Sequence, residues 1–117
     1  MTASQRRTGR TDIEVIAAMA VGDEHFAGMA QNVGVGGVFV ATSRVRAVGE
    51  RIAIAFTLPG RDEPISVAAE VRWTRDRSSD EPHHRVAGMG LRFVDLPIGA
   101  RFELQRFLKE REQPGAS

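Results

Sequence analysis

The sequence predicts an all-β fold with one helix: a small antiparallel barrel followed by a C-terminal helix. Its 117 residues suffice for one hydrophobic core but not for two ordinary domains. Apolar and polar residues alternate over several short segments separated by turn-forming residues, which is typical of half-buried strands. Helical spacing begins only after residue 95. A sheet with one apolar face must close or be covered, so we expect the helix across one opening of the barrel or along the sheet.

The first half of the chain predicts two or three strands, which makes five or six in the whole chain. Residues 1–11 are polar, carry three arginines and predict a flexible arm. Alternation over 12–20 predicts the first strand, and Gly22 begins a turn into a second short strand over 26–31. Three closely spaced glycines follow, and a third strand resumes over 38–42.

The second half predicts three further strands. The alternation is clearest over 51–58, and it recurs over 65–73 after a turn. There it places Trp73 on the apolar face, which predicts a residue of the core or the barrel wall. The polar stretch 75–85 predicts a loop, and 88–93 alternates again.

A helix then ends the predicted domain, which spans residues 12–112. Asp95 is suited to cap this helix, with Pro97 in its first turn. Residues 113–117 are predicted to form a tail. Apolar residues recur at helical spacing, with Ile98 paired to Phe102 and Leu104 to Leu108.

Composition excludes several classes of protein. The hydrophobic fraction of 42% and the charged fraction of 26% exclude a mostly disordered chain or a fibre. The longest apolar run, Val15–Val21, is too short to span a bilayer, and no leader peptide is evident. A net charge of +1 does not favour nucleic-acid binding. We therefore expect a cytoplasmic protein with no DNA or RNA partner and no direct membrane insertion.

Enzyme and metal chemistry find little support in the sequence. The chain has no cysteine, which excludes thiolate metal sites and cysteine nucleophiles. It contains no GxSxG, HExxH or P-loop lysine motif, and a strand rather than a helix follows the glycine cluster. His83 and His84 lie in a polar loop, where solvation is the better account. We expect no catalysis, no metal and no cofactor.

The arm and the glycine cluster together suggest a ligand site. Arginine forks bind phosphates or base edges in pairs of hydrogen bonds, and an asparagine offers both donor and acceptor to a base. Glycines let backbone N–H groups approach a phosphate. The alternative is a solvated arm and a tight turn or bulge. The candidate ligand-binding residues are Arg6, Arg7, Arg10, Asn32, Gly34 and Gly37.

These residues resemble the signature of the PilZ domain family, receptors for the bacterial second messenger cyclic di-GMP. Arg6 to Arg10 matches its RxxxR motif, and Asn32 to Gly37 matches (D/N)xSxxG at the first and last positions. The stretches Ala69–Trp73 and Gly88–Phe93 resemble two later strands of the family, and the similarity covers about residues 5–110. The resemblance implies a six-stranded antiparallel PilZ-type β-barrel with a C-terminal α-helix.

The resemblance also implies roles for single residues. Arg6 and Arg10 would clamp guanine and phosphate with Arg7 as an accessory, while Asn32 would contact a guanine edge. Gly37 would shape the loop, and Trp73 has stacking on a guanine ring as an alternative to a core position. The family serine is replaced by Gly34. A lost hydroxyl bond to a charged phosphate weakens binding by about 1.5–3 kcal/mol, unless the exposed N–H of glycine recovers part of it.

Two functions remain open at this point. The first is a cyclic di-GMP receptor that relays the messenger to a protein effector in motility, pilus or biofilm control. The second is a degenerate PilZ adaptor that does not bind the nucleotide and acts through protein–protein contacts. Gly34 and the short arm motivate the second hypothesis. A substitution of Arg6 or Arg10 by alanine distinguishes the two.

Overall fold

A computed structural model describes residues 10–76 and 86–112. Its strands form a closed antiparallel barrel in the order β1-β2-β3-β6-β5-β4. This confirms the predicted six-stranded barrel with one C-terminal helix. The elements are β1 (Thr11–Val21), β2 (Glu24–Val33), β3 (Gly37–Ala41), β4 (Arg51–Phe56), β5 (Ile65–Arg75), β6 (Gly88–Val94) and α1 (Ile98–Glu112).

The barrel interior collects the apolar residues of the alternating segments. On β4, for example, buried and accessible positions alternate from Arg51 to Phe56, as expected for a strand with one buried face. Phe56 and Phe107 are the largest fully buried side chains. The core therefore joins the barrel to α1.

Strand β2 is longer than the predicted segment 26–31. It pairs with β1 from Val21↔Glu24 to Thr11↔Val33. The extension places Asn32 on a strand rather than in the glycine loop. The two ends of this hairpin bring the residues before β1 next to the end of β2.

Helix α1 begins later than the predicted cap implies. The N–H of Arg101 donates to the carbonyl of Pro97 over 2.9 Å, so Pro97 occupies the N-cap position. The expectation that Asp95 caps the helix is wrong, because Asp95 lies two residues earlier, in the link, with a φ of 56°.

The two predicted apolar pairs of α1 lie on different faces. Leu104 and Leu108 are buried with Phe107 against the barrel. Ile98 and Phe102 are 71% and 60% exposed. One face of the helix therefore anchors it to the core, and the other carries two apolar side chains into solvent.

Among residues 10–76 and 86–112, no helix has the length and apolarity needed to cross a membrane.

Candidate functional site

Two predicted ligand residues, Arg10 and Asn32, are in direct contact. The pairing of Asp12 with Asn32 across the β1–β2 hairpin sets their approach. Nη2 of Arg10 donates a hydrogen bond to Oδ1 of Asn32. Partial burial lowers the pKa of Arg10, although a guanidinium remains charged at any physiological pH. The fold therefore joins the last arginine of RxxxR to the first residue of the second motif.

The predicted arm, residues 1–11, is described only at Arg10 and at Thr11, which begins β1. Arg6 and Arg7 lie outside the described residues, and their roles stay predictions. The same holds for His83 and His84, which lie in the undescribed segment 77–85.

The glycine loop between β2 and β3 is tied together by its own backbone. The N–H of Gly34 donates to the carbonyl of Gly37 over 2.9 Å. The carbonyl of Gly36 accepts from the N–H of Phe93 over 2.9 Å, which fastens the loop to β6. Gly34 is buried. Its N–H is therefore already used within the loop and is not the exposed phosphate donor that the sequence suggested.

Gly37 is required by a close approach of two strands. A Cβ at this position would lie 2.1 Å from the carbonyl oxygen of Leu91. Gly37 pairs with Arg92 in the β3–β6 ladder. A glycine here lets β3 pack closely on β6, which brings Arg92 beside the glycine loop.

Arg10 and Asn32 open on a pocket of about 390 Å³ on the outside of the barrel. The pocket extends across β3, β6 and β5, and it contains three side chains that sequence reasoning did not select as ligand contacts: Arg72, Arg92 and Phe39. For Trp73, the sequence gives ligand stacking only as an alternative to a position in the core or the barrel wall. The lining residues are Arg10, Asn32, Gly36, Gly37, Val38, Phe39, Arg72, Trp73, Gly90, Leu91 and Arg92.

Trp73 lies in the barrel wall, on β5, and not in the core, so of the two predicted positions the core is wrong. The residue is 48% exposed. The β5–β6 register shifts between Val71 and Trp73, and this bulge removes Trp73 from the buried face of β5. The indole stacks on the Phe39 ring with centroids 5.3 Å apart and planes at 13°.

Gly90 makes room for this indole. A Cβ at Gly90 would lie 2.2 Å from atoms of the Trp73 ring. The guanidinium of Arg75 lies 4.7 Å from the centroid of Phe39, a cation–π distance. Phe39 is thereby fixed between two partners, and it supports Trp73 at the edge of the pocket.

The pocket has more arginines than carboxylates facing them. Nη2 of Arg92 donates to Oε1 of Glu70 over 2.9 Å. This hydrogen bond is the largest cause that lowers the pKa of Glu70, and the charges of Arg92, Arg72 and Arg51 add to it against the opposing effect of burial. Arg72 and Arg10 line the same pocket as Arg92, so one carboxylate beside three lining guanidinium groups leaves an excess of positive charge.

The arrangement suits a ligand that is both flat and anionic. An indole edge offers a stacking surface for a base, and guanidinium groups offer paired donors to phosphate oxygens. The described residues contain no group of three or more His, Asp or Glu side chains that could hold a metal ion. The pocket therefore places a stacking surface beside guanidinium donors.

Comparison with known families identifies the chain. The model of the PilZ domain matches residues 4–110. The chain belongs to the PilZ domain family. This match covers both predicted motifs, including Arg6 and Arg7, and ends within α1. A search of curated proteins found no match.

Solved structures of PilZ proteins share the fold at low sequence identity. MotI (DgrA), the inhibitor of motility of Bacillus subtilis, has a TM-score of 0.78 and 20% identity over 92% of this chain and 51% of MotI. The PilZ domain of YcgR from Escherichia coli, solved with cyclic di-GMP, has a TM-score of 0.66 and 15% identity over 92% and 93% of the two chains.

A third similar structure is MrkH, described as a cyclic di-GMP-dependent transcription regulatory factor. It has a TM-score of 0.68 and 11% identity over 91% of this chain and 50% of MrkH. The chain thus spans about half the length of MotI and of MrkH. At these identities the likeness concerns the fold of the PilZ domain.

Proposed function

We propose that this PilZ domain binds cyclic di-GMP and relays the messenger to a protein partner. The observation that carries the proposal is the pocket in which Arg10, Asn32, Trp73 and Arg92 converge. The guanidinium groups of Arg10 and Arg92 and the amide of Asn32 complement the phosphates and base edges of a guanine nucleotide. The fold shared with the YcgR PilZ domain, which was solved with cyclic di-GMP, supports this choice of ligand.

Each lining side chain has a role that follows from its chemistry. Arg10 binds a phosphate or a guanine edge once its hydrogen bond to Asn32 is exchanged for one to the ligand. Asn32 then offers its amide to the base. Trp73 provides a stacking surface, and Arg92 lies across the pocket as a second cation. Arg6 completes the clamp with Arg10, as the family signature implies, and Arg7 is an accessory.

The relay follows from the position of the pocket on the outer surface of the barrel. A bound dianion replaces an excess of positive charge with a neutral or negative surface. A partner that contacts this surface distinguishes the two charge states. MotI is an inhibitor of motility, so a motility protein is the first class of partner to test, with pilus and biofilm proteins next.

A second candidate is an adaptor that does not bind the nucleotide. Arg10 already has a partner in Asn32 and Arg92 has one in Glu70. The hydroxyl that the family supplies is replaced by the buried Gly34. An adaptor of this kind docks on its partner regardless of the messenger.

Isothermal titration calorimetry with cyclic di-GMP tests the proposal, with GTP as the control ligand. We expect saturable binding by the natural chain and a loss of at least about tenfold in Arg10→Ala, because a charge-assisted hydrogen bond contributes ~1.5–3 kcal/mol. Arg101→Ala is the matched control, since Arg101 is an exposed arginine on α1. Absence of heat from a folded natural chain would favour the adaptor.

A further inference from the structure

Glu70 is a negatively charged residue on β5 that lies next to Arg92 of the pocket. It pairs with Arg92 across the β5–β6 ladder and with Arg51 across the β4–β5 ladder. The register of both ladders holds its carboxylate between two cations, as directly opposite residues are close neighbours. It does not line the pocket itself. Its effect on a ligand is therefore exerted through Arg92 and through its own charge.

We propose that Glu70 limits the affinity of the pocket for its nucleotide by neutralising Arg92. This inference rests on the proposed function, since it concerns the strength of that binding. Glu70 thereby sets the messenger concentration at which the protein responds. A chain that lacked this carboxylate would be occupied at lower concentrations.

The geometry leaves Arg92 able to contact both groups. Its side chain is 52% exposed, whereas that of Glu70 is 26% exposed, so Arg92 lies on the solvent side of the pair. A guanidinium has five donors in a planar fork, and Nη2 bonds to Glu70. The remaining donors are available to a phosphate. What Glu70 changes is the net charge that the phosphate meets.

Two effects of Glu70 on binding have opposite signs. Its negative charge repels a phosphate dianion, which weakens binding. Its hydrogen bond orients Arg92, which favours binding. Arg72 and Arg51 also surround Glu70, but Arg92 is held in the β3–β6 and β5–β6 ladders through its own backbone. Glu70 therefore orients only the outer part of the Arg92 side chain, and we expect the repulsion to be the larger effect.

The Glu70→Gln variant separates the two effects. Glutamine keeps an acceptor oxygen for Arg92 and removes the charge. We expect cyclic di-GMP to bind this variant about threefold to tenfold more tightly than the natural chain, in low salt, by isothermal titration calorimetry. The gain shrinks as salt is added, because salt screens partly exposed charges. Circular dichroism checks that the variant is folded.

Glu103→Gln is the matched control. Glu103 bonds to Arg61 over 2.6 Å, so it is also a carboxylate held by an arginine, but it lies on α1. We expect its affinity for cyclic di-GMP to be that of the natural chain.

The outcomes are distinguishable. If the natural chain binds and Glu70→Gln binds equally or more weakly, the inference on Glu70 is wrong and the proposed function stands. If neither the natural chain nor the variant binds, both fail. Binding by Glu70→Gln alone supports the inference in its strongest form.

Discussion

Arginines and carboxylates are combined in opposite proportions at two places in this barrel. Where α1 meets the turn after β4, Arg61 bonds to two carboxylates, Glu103 at 2.6 Å and Glu110 at 3.3 Å. Its guanidinium also lies 5.5 Å from the centroid of Phe107. Beside the pocket, the carboxylate of Glu70 accepts a hydrogen bond from Arg92 over 2.9 Å, and the charges of Arg72 and Arg51 also lower its pKa.

The difference separates a structural arginine from a binding one. The hydrogen bond that Arg61 donates to Glu103 is the largest cause that raises the pKa of Arg61, which means that the folded chain itself stabilises this charge. Of the pocket arginines, Arg92 pairs with Glu70 and Arg10 bonds to the neutral amide of Asn32, so an added anion gains attraction to charge that the protein has not neutralised. We therefore expect changes near α1 to affect stability and changes at the pocket to affect binding.

The largest expected effect is on stability, at the anchor of α1. Phe107 is 1% exposed, and Phe107→Ala should lower the free energy of unfolding by about 3–5 kcal/mol because it leaves a cavity in the core. Urea unfolding measures this. Phe102→Ala is the matched control on the exposed face of the same helix and should change stability by less than about 0.5 kcal/mol. Equal losses in the two variants would contradict the assignment of the two faces.

The next effect is a gain of affinity at the glycine loop. The described glycines with positive φ are Gly22, Gly49 and Gly60, so the φ of Gly34 is not one that favours glycine over serine. Gly34→Ser restores the hydroxyl of the family motif and should tighten binding of cyclic di-GMP by about tenfold or more, as a hydrogen bond to a charged group contributes ~1.5–3 kcal/mol. Calorimetry measures the gain, and a melting curve checks folding. A folded variant with unchanged affinity would count against the alignment of the motif.

Removal of the stacking surface should lower the affinity for cyclic di-GMP by a similar or smaller factor. Trp73→Ala should weaken binding of cyclic di-GMP about fivefold to a hundredfold, since stacking of a base on an aromatic side chain contributes ~1–3 kcal/mol. Trp73→Phe is the conservative control and should retain most of the affinity. Trp73→Ala should also lower the melting temperature, because the indole stacks on Phe39 and packs against Gly90, so circular dichroism checks that both variants are folded. Full affinity in Trp73→Ala would remove the indole from the site.

The outward position of Trp73 also shows what the sequence cannot predict. Strict alternation along β5 places it with Val71 on the buried face, and the fold class follows correctly from the same alternation. The bulge that turns it outward shifts the register against β6, and alternation within one strand carries no information about a partner strand. The glycine that admits the indole, Gly90, is likewise explained only by its neighbour across the ladder.

The proximity of Arg72 and Arg92 could not be predicted from the sequence for the same reason. Arg72 and Arg92 occupy polar positions of two separate predicted strands, where a solvated face is the ordinary interpretation. They meet at one pocket because β5 and β6 pair. The sequence identifies Arg10 and Asn32 because each belongs to a motif of the family. The pocket that they open on depends on barrel closure, which no motif describes.

The smallest expected effect is a loss of stability in acid, and it depends on the ion pair between Glu70 and Arg92. The pKa of Glu70 is lowered from its usual 4.5 in the folded chain. A carboxyl with a lowered folded-state pKa contributes stability above its unfolded pKa, and this contribution is lost as the pH falls through the folded value. The natural chain should therefore lose more stability than Glu70→Gln when the pH drops from neutral to below 4.5. Urea unfolding of both chains along this pH range measures the difference. The effect is small because the pair is partly exposed to solvent, and parallel stability curves would show that the pocket contains no internal counter-charge.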